Sequence, residues 1–290
     1  MQQTWFITGS SRGLGRALAE AVLAAGDRVV ATARRPDALD DLADAHGADI
    51  LVVPLDVTDP AAARPALQAG VDRFGRLDVI ANNAGYANVA PIETGDDDDF
   101  RAQFETNFWG VYNVSKAAIG HLRRQGGGLI VQFSSIGGRV GGSPGIASYQ
   151  AAKFAVDGFT RVLATETAPF GIRTMVVEPS GFATDWAGSS MTIHDIPDDY
   201  DGTVGVMQRV VRAGSSGPAG DPVRAAEIIV RVAKREVVPS HLLVGVNAVN
   251  MALDYSRRQL DQAQAWEQVG RSADYAEPYP APLPPESAPN

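Results

Sequence analysis

The 290-residue chain sets 25 Lys and Arg against 34 Asp and Glu, a formal net charge of -9, with a pI near 4.9. So acidic a chain lacks the concentrated cations that nucleic acid or an anionic membrane surface requires of a partner. With no Cys there is no disulfide, thiolate nucleophile or Cys-based metal site. His46, His121, His194 and His241 are too scattered for ligand spacing, so no metal is expected. Hydrophobic residues at 45% and charged residues at 20% suit a globular chain with a sizeable core. No charged segment leads into an apolar run at the N-terminus, and no stretch approaches the ~20 apolar residues that cross a bilayer. A cytoplasmic protein without a membrane partner is expected.

In chain order, Val- and Ile-rich runs at 4–8, 28–33, 50–55, 77–82, 129–135 and 173–179 read as buried strands, with a seventh at 241–246. Stretches with helical spacing lie between them, such as 13–26 and 59–75, each closing on Gly. Repeated β-then-α order predicts an α/β fold, a Rossmann-like doubly wound parallel sheet of about seven strands with helices on both faces. Residues 1–272 read as one domain. Within it, 180–220 is rich in Gly, Ser, Asp and Pro and reads as a long substrate loop, whose Trp186, Met191, Ile193 and Ile196 read either as an apolar lid over a hydrophobic substrate or, as apolar residues more often do, as ordinary packing. The segment 273–290 is a Pro-rich tail that sustains neither helix nor central strand.

After the first strand, "ITGSSRGLGRALAE" places Gly9, Gly13 and Gly15 in a turn opening the first helix. Small residues there let the backbone approach a pyrophosphate at a helix N-terminus, so this βα junction points to a dinucleotide. The second strand ends "ATARRP". Ala33 stands where an acid would accept hydrogen bonds from a ribose 2′-hydroxyl, and Arg34 can bind a 2′-phosphate, with Arg12 as a second cation. NADP(H) is therefore expected over NAD(H).

Tyr149 and Lys153 in "SYQAAKFAVDGF" are one helical turn apart and share a face. A nearby ammonium, with NADP⁺ when bound, favours phenolate and lowers the ordinary pKa of about 10, which would let Tyr149 exchange a proton near neutrality. Asn107 lies on a helix where Phe100, Phe104, Phe108 and Val111 recur at core-facing spacing, so its amide needs a partner. Asp96 to Asp99 precede that helix and meet the positive end of its dipole.

The ordered set "TGSSRGLG" at 8–15, "LDV" at 55–57, "NNAG" at 82–85, "TNFWG" at 106–110, "FSSIGG" at 133–138, "YQAAK" at 149–153 and "EPSGFATD" at 178–185 resembles the short-chain dehydrogenase/reductase family in its single-domain form. The resemblance spans about residues 3 to 185, with weaker support to about 246. It implies that Gly9, Ser11, Arg12, Gly13, Leu14 and Gly15 surround pyrophosphate and ribose, that Arg34 meets the 2′-phosphate, and that Asp56 and Val57 flank adenine. Asn83, Ala84 and Gly85 would line the central cofactor path, and Pro179, Phe182 and Thr184 the nicotinamide side.

By the same resemblance Tyr149 is the general acid–base and Lys153 holds the nicotinamide ribose. Ser135 binds the substrate oxygen, with Ser134 the alternative serine, and Asn107 holds a water that links Lys153 to solvent. Here the nicotinamide-side loop begins Pro179-Ser180, where the family usually has Pro-Gly, and one extra residue separates Ser135 from Tyr149. The implied activity is NADP(H)-dependent hydride transfer with an apolar carbonyl or secondary alcohol in a homo-oligomer, dimer or tetramer. An epimerase or dehydratase on the same scaffold and a non-catalytic nucleotide sensor are the other readings.

Overall fold

The β-branched runs pair as one parallel sheet of seven strands, because each is apolar on both faces and needs helices above and below it. In the computed structural model, which describes residues 2–184, 191–213 and 220–285, the strands are β1 (Thr4–Thr8), β2 (Arg28–Ala33), β3 (Ile50–Pro54), β4 (Val79–Asn82), β5 (Gly128–Phe133), β6 (Ile172–Pro179) and β7 (His241–Val244). Their order is β3-β2-β1-β4-β5-β6-β7. Ile7 of β1 lies between Ala31 of β2 and Ala81 of β4. The winding direction reverses between β1 and β4, and such a switch point opens a crevice at the carboxyl ends of the strands.

The helices are α1 (Gly13–Ala24), α2 (Asp40–His46), α3 (Ala63–Phe74), α4 (Asp97–Phe104), α5 (Gly110–Arg124), α6 (Gly137–Val140), α7 (Ala147–Thr167), α8 (Val204–Arg212), α9 (Pro222–Ala233), α10 (Val246–Ala265) and α11 (Glu267–Arg271). On one face, α1 and α9 bury Leu18, Val22 and Ile229 against Trp5, Ile7 and Val131. On the other, α3, α5 and α7 bury Leu67, Leu122 and Leu163 against Phe6, Ile80 and Ile130. Asp96 caps α4 by accepting from Asp98 N–H at 2.8 Å, and Asp97 to Asp99 fill its first turn as the dipole argument requires.

Two sequence expectations change. The 180–220 segment is not loop throughout: α8 forms within it, with Val204 and Val211 buried on one side. Its short apolar set is masked in sequence by the flanking Gly, Ser and Asp. Trp186 lies outside the described residues; Ile193 and Ile196 pack with Val89 and Val204 in a small separate core. The Phe100, Phe104, Phe108 and Val111 stripe is also not core-facing as a whole. Only Val111 is buried, while Phe100 and the neighbouring Trp109 are exposed. A π-helical turn over Glu105–Trp109 joins α4 to α5, and the buried line through it is Gln103, Asn107 and Val111, which leaves the aromatics on the adjacent face. Among the described residues no helix is long and apolar enough to cross a membrane.

Adjacent residues of α9 give a direct test of how it docks. Ile229 is fully buried and Ile228 is 42% exposed. Ile229→Ala is expected to cost about 2–5 kcal/mol, against under about 1 kcal/mol for Ile228→Ala, measured by urea unfolding.

Candidate active site

At the switch point, Gly9 and Gly13 adopt positive φ and turn the chain from β1 into α1. A Cβ on Gly9 would stand 2.9 Å from Ala84 Cα, and one on Gly15 would overlap Asn83 Nδ2 and the Gly9 carbonyl. The turn is packed this closely because Thr8 and Asn83 bind each other's strand ends. Thr8 Oγ1 accepts from the N–H groups of Asn83 (2.9 Å) and Ala84 (3.0 Å), and Asn83 Nδ2 donates to the carbonyls of Thr8 (3.0 Å) and Gly9 (3.1 Å). Asn83 thus braces the turn with its amide. No side chain caps α1 and no acid lies in its first turn, so its N-terminal N–H groups are left for an anion.

A cleft of about 1170 Å³ runs from this turn across the sheet ends. Every proposed cofactor residue lines it: Gly9, Ser11, Arg12, Gly13, Leu14, Gly15, Arg34, Asp56, Val57, Asn83, Ala84, Gly85, Tyr149, Lys153, Pro179, Phe182 and Thr184. Arg12 and Arg34 are exposed and form no ion pair among the described residues, while Ala33 is buried at the same end. Asp56 is also exposed, and accepts from Thr58 N–H at 3.0 Å and its hydroxyl at 2.8 Å. The glycine cradle, the uncapped helix and the two open guanidinium groups fit a phosphate-bearing dinucleotide.

The chemistry-bearing groups meet where α7 crosses the end of β5. Lys153 is 3% exposed, donates from Nζ to the Phe133 carbonyl at 2.7 Å, and lies 5.6 Å from the centroid of the Tyr149 ring. Burial pulls its ammonium down to about 8. Burial also pushes the Tyr149 phenol above its ordinary value, and a hydrogen bond with Ser135 acts against that rise. Desolvation of the phenolate here outweighs the help it receives, whereas the lowering expected from sequence combines the ammonium with the charge of bound NADP⁺.

The two serines separate clearly. Ser134 is buried and donates to the Lys153 carbonyl at 3.0 Å, holding α7 against β5. Ser135 lines the cleft, accepts from Gly137 N–H at 3.0 Å and bonds Tyr149.

Asn107 is fully buried and does not line the cleft. Its Nδ2 donates to the carbonyls of Tyr86 and Gln103, both at 2.8 Å, and its Oδ1 accepts from Tyr86 N–H at 3.1 Å. Both amide hydrogens are engaged with backbone carbonyls. It braces the Gly85–Tyr86 backbone, and a Cβ on Gly85 would come within 2.5 Å of its Oδ1.

The Pro179-Ser180 departure is absorbed locally. Ser180 needs no positive φ; its side chain fills the space left by Gly245, where a Cβ would overlap Ser180 Oγ. Between Ser135 and Tyr149 the 141–146 loop is glycine-rich, with Gly141, Gly142 and Gly145 at positive φ. Residues not anticipated from sequence are Tyr86, Gln150, Met207 and Met251 in the cleft wall, and an ion pair beneath it. Glu178, 1% exposed, receives Arg139 at 3.0 Å and ties α6 to β6. Its signal was only two ordinary charges 39 positions apart.

The chain matches the family profile described as short chain dehydrogenase over residues 3–192. It is 49% identical over 253 residues to "Oxidoreductase BOA17" of Botryotinia fuckeliana, covering 87% of this chain and 92% of that one. The crystal structure of a short-chain dehydrogenase from Streptomyces avermitilis superposes with a TM-score of 0.86 at 34% identity, over 94% of this chain and 98% of that chain. A 3-ketoacyl-(acyl-carrier-protein) reductase from Brucella melitensis, complexed with NADH, gives 0.71 at 25% identity over 83% and 96%. With that profile spanning most of the sheet, and the same order of strands and motifs meeting in one cleft, the chain is an oxidoreductase of the short-chain dehydrogenase/reductase family.

Proposed function

We propose that the chain is an NADP(H)-dependent reductase or dehydrogenase of a carbonyl or secondary alcohol, with Tyr149 as general acid–base. The observation that carries this reading is the Ser135–Tyr149 hydrogen bond beside the buried Lys153 ammonium, at one end of a cleft whose other end presents Arg12 and Arg34. The nicotinamide, when bound, supplies or accepts the hydride. Tyr149 then donates its phenolic proton to the substrate oxygen in reduction, or takes the alcohol proton in oxidation. Ser135, anchored by Gly137 N–H, would turn its hydroxyl hydrogen from Tyr149 to that oxygen and stabilise the charge developing there. Lys153 would hold the ribose hydroxyls, and the intact Ser135, Tyr149 and Lys153 set supports turnover over nucleotide sensing.

Arg34 and Ala33 support NADP(H); the Brucella neighbour bound to NADH makes NAD(H) the competitor to test. The far end, walled by Ile146, Met191, Met207 and Val211, supports a small apolar substrate. Segment 180–220, with Met191 and Met207 in that wall, is read as the substrate lid within one domain of residues 1–272, followed by the tail at 273–290. A cytoplasmic homo-oligomer joined through α4, α5 and α7 accounts for the exposed Phe100, Trp109 and Phe154.

Tyr149→Phe is expected to lower kcat with a ketone and aldehyde panel by about 100- to 10,000-fold, while NADPH fluorescence still reports binding; normal turnover in that variant would refute the proton-transfer role. Arg34→Ala should weaken NADPH binding by about 10- to 100-fold and NADH binding by about twofold or less. A lysine lowered to about 8 keeps its charge below that pH and loses it above. NADPH affinity should therefore fall as pH rises through about 8, and titrations of Lys153→Met should lack that step.

A further inference from the structure

One polar group in the cleft wall has no role in the mechanism above. Gln150 follows Tyr149 on α7, is 7% exposed, and lines the cleft. Its Oε1 accepts from Ser143 N–H at 3.2 Å, which holds the glycine-rich 141–146 loop. Its Nε2 has no hydrogen-bond partner among the described residues. A buried amide donor left unpaired is unfavourable and needs an explanation. The neighbouring polar wall does not supply one: Asn88 has its nitrogen on Asp99 at 2.6 Å and its oxygen on Thr192 N–H at 2.8 Å.

The position of the orphan donor is informative. Gln150 Nε2 lies 3.1 Å, and Ser135 Oγ 3.5 Å, from the one point where a side chain on Gly137 would begin. The absence of that side chain leaves both groups within reach of one ligand. A substrate whose reacting oxygen sits on Ser135 and Tyr149 has Gln150 a few atoms away. Beyond it the wall turns apolar at Ile146, Met207 and Val211. The one hydrogen bond of the amide, from Ser143 N–H to Oε1, leaves Nε2 for an acceptor that arrives with the ligand.

Building on the function proposed above, we infer that Gln150 is a specificity-determining residue. It donates a hydrogen bond to a second acceptor oxygen close to the reacting carbonyl of an otherwise apolar substrate, so that 3-oxoesters are preferred over plain ketones of the same length.

The test compares ethyl 3-oxohexanoate with 4-nonanone under NADPH in the unaltered protein, its Gln150→Glu variant and its Gln150→Met variant. Gln150→Glu retains an acceptor for Ser143 N–H and removes the donor; Gln150→Met removes both. NADPH fluorescence confirms that each variant binds cofactor. The ratio of kcat/KM for oxoester over ketone is expected to fall about tenfold in both variants, mainly through KM. Equal losses on the two substrates would reduce Gln150 to a loop tether and overturn the inference alone, as would an unchanged ratio. No NADPH oxidation by the wild-type protein with either substrate, or with the wider panel, would overturn the underlying reading as well.

Discussion

The buried ammonium of Lys153 is the constraint around which the site is assembled. A charge that is 3% exposed must find strong partners or lose its proton. Here it donates to the Phe133 carbonyl at the end of β5, while Ser134, the next residue, returns a hydrogen bond to the Lys153 carbonyl. The two bonds clamp α7 to β5 in both directions and fix where Tyr149, one turn earlier, meets Ser135. The approach is close because Gly138 has no side chain: a Cβ there would stand 2.5 Å from Ser134 Oγ and 2.7 Å from Lys153 Cβ.

The rest of the cleft is braced on the same principle, with buried polar groups engaged in holding backbone. Asn83 and Thr8 join the ends of β1 and β4, Asn107 holds Tyr86, and Arg139 with Glu178 holds α6 to β6. Such fully paired groups give rigidity at the wall. The Gly-rich turn and the substrate-side loop can then be short of side chains without losing shape. The exposed guanidinium groups of Arg12 and Arg34 and the orphan amide of Gln150 stand out against that background.

The strands were legible because central parallel strands are apolar on both faces and read as continuous runs. The switch-point turn was legible because its glycines lie at a strand-to-helix junction. The Asn107 stripe misled because the buried line runs through Gln103, Asn107 and Val111, one residue out of step with Phe100, Phe104 and Phe108. Helix α8 was hidden because nine residues with a few buried apolar positions barely register between Gly- and Asp-rich flanks. Gly245 as the partner of Ser180 had no sequence signal: the residues are 65 positions apart and meet only when β7 pairs with β6.

The sequence by itself determined the sheet, the dinucleotide turn and the pairing of Tyr149 with Lys153, because each follows from local spacing and from the order of elements. The tertiary structure alone decided the electrostatics. It buried Lys153 and Tyr149 deeply enough to move both away from their ordinary values, assigned Ser134 to the backbone and Ser135 to the phenol, and left Gln150 Nε2 without a partner. Those outcomes depend on which distant backbone atoms reach each side chain and how much water they displace, which residue spacing does not encode.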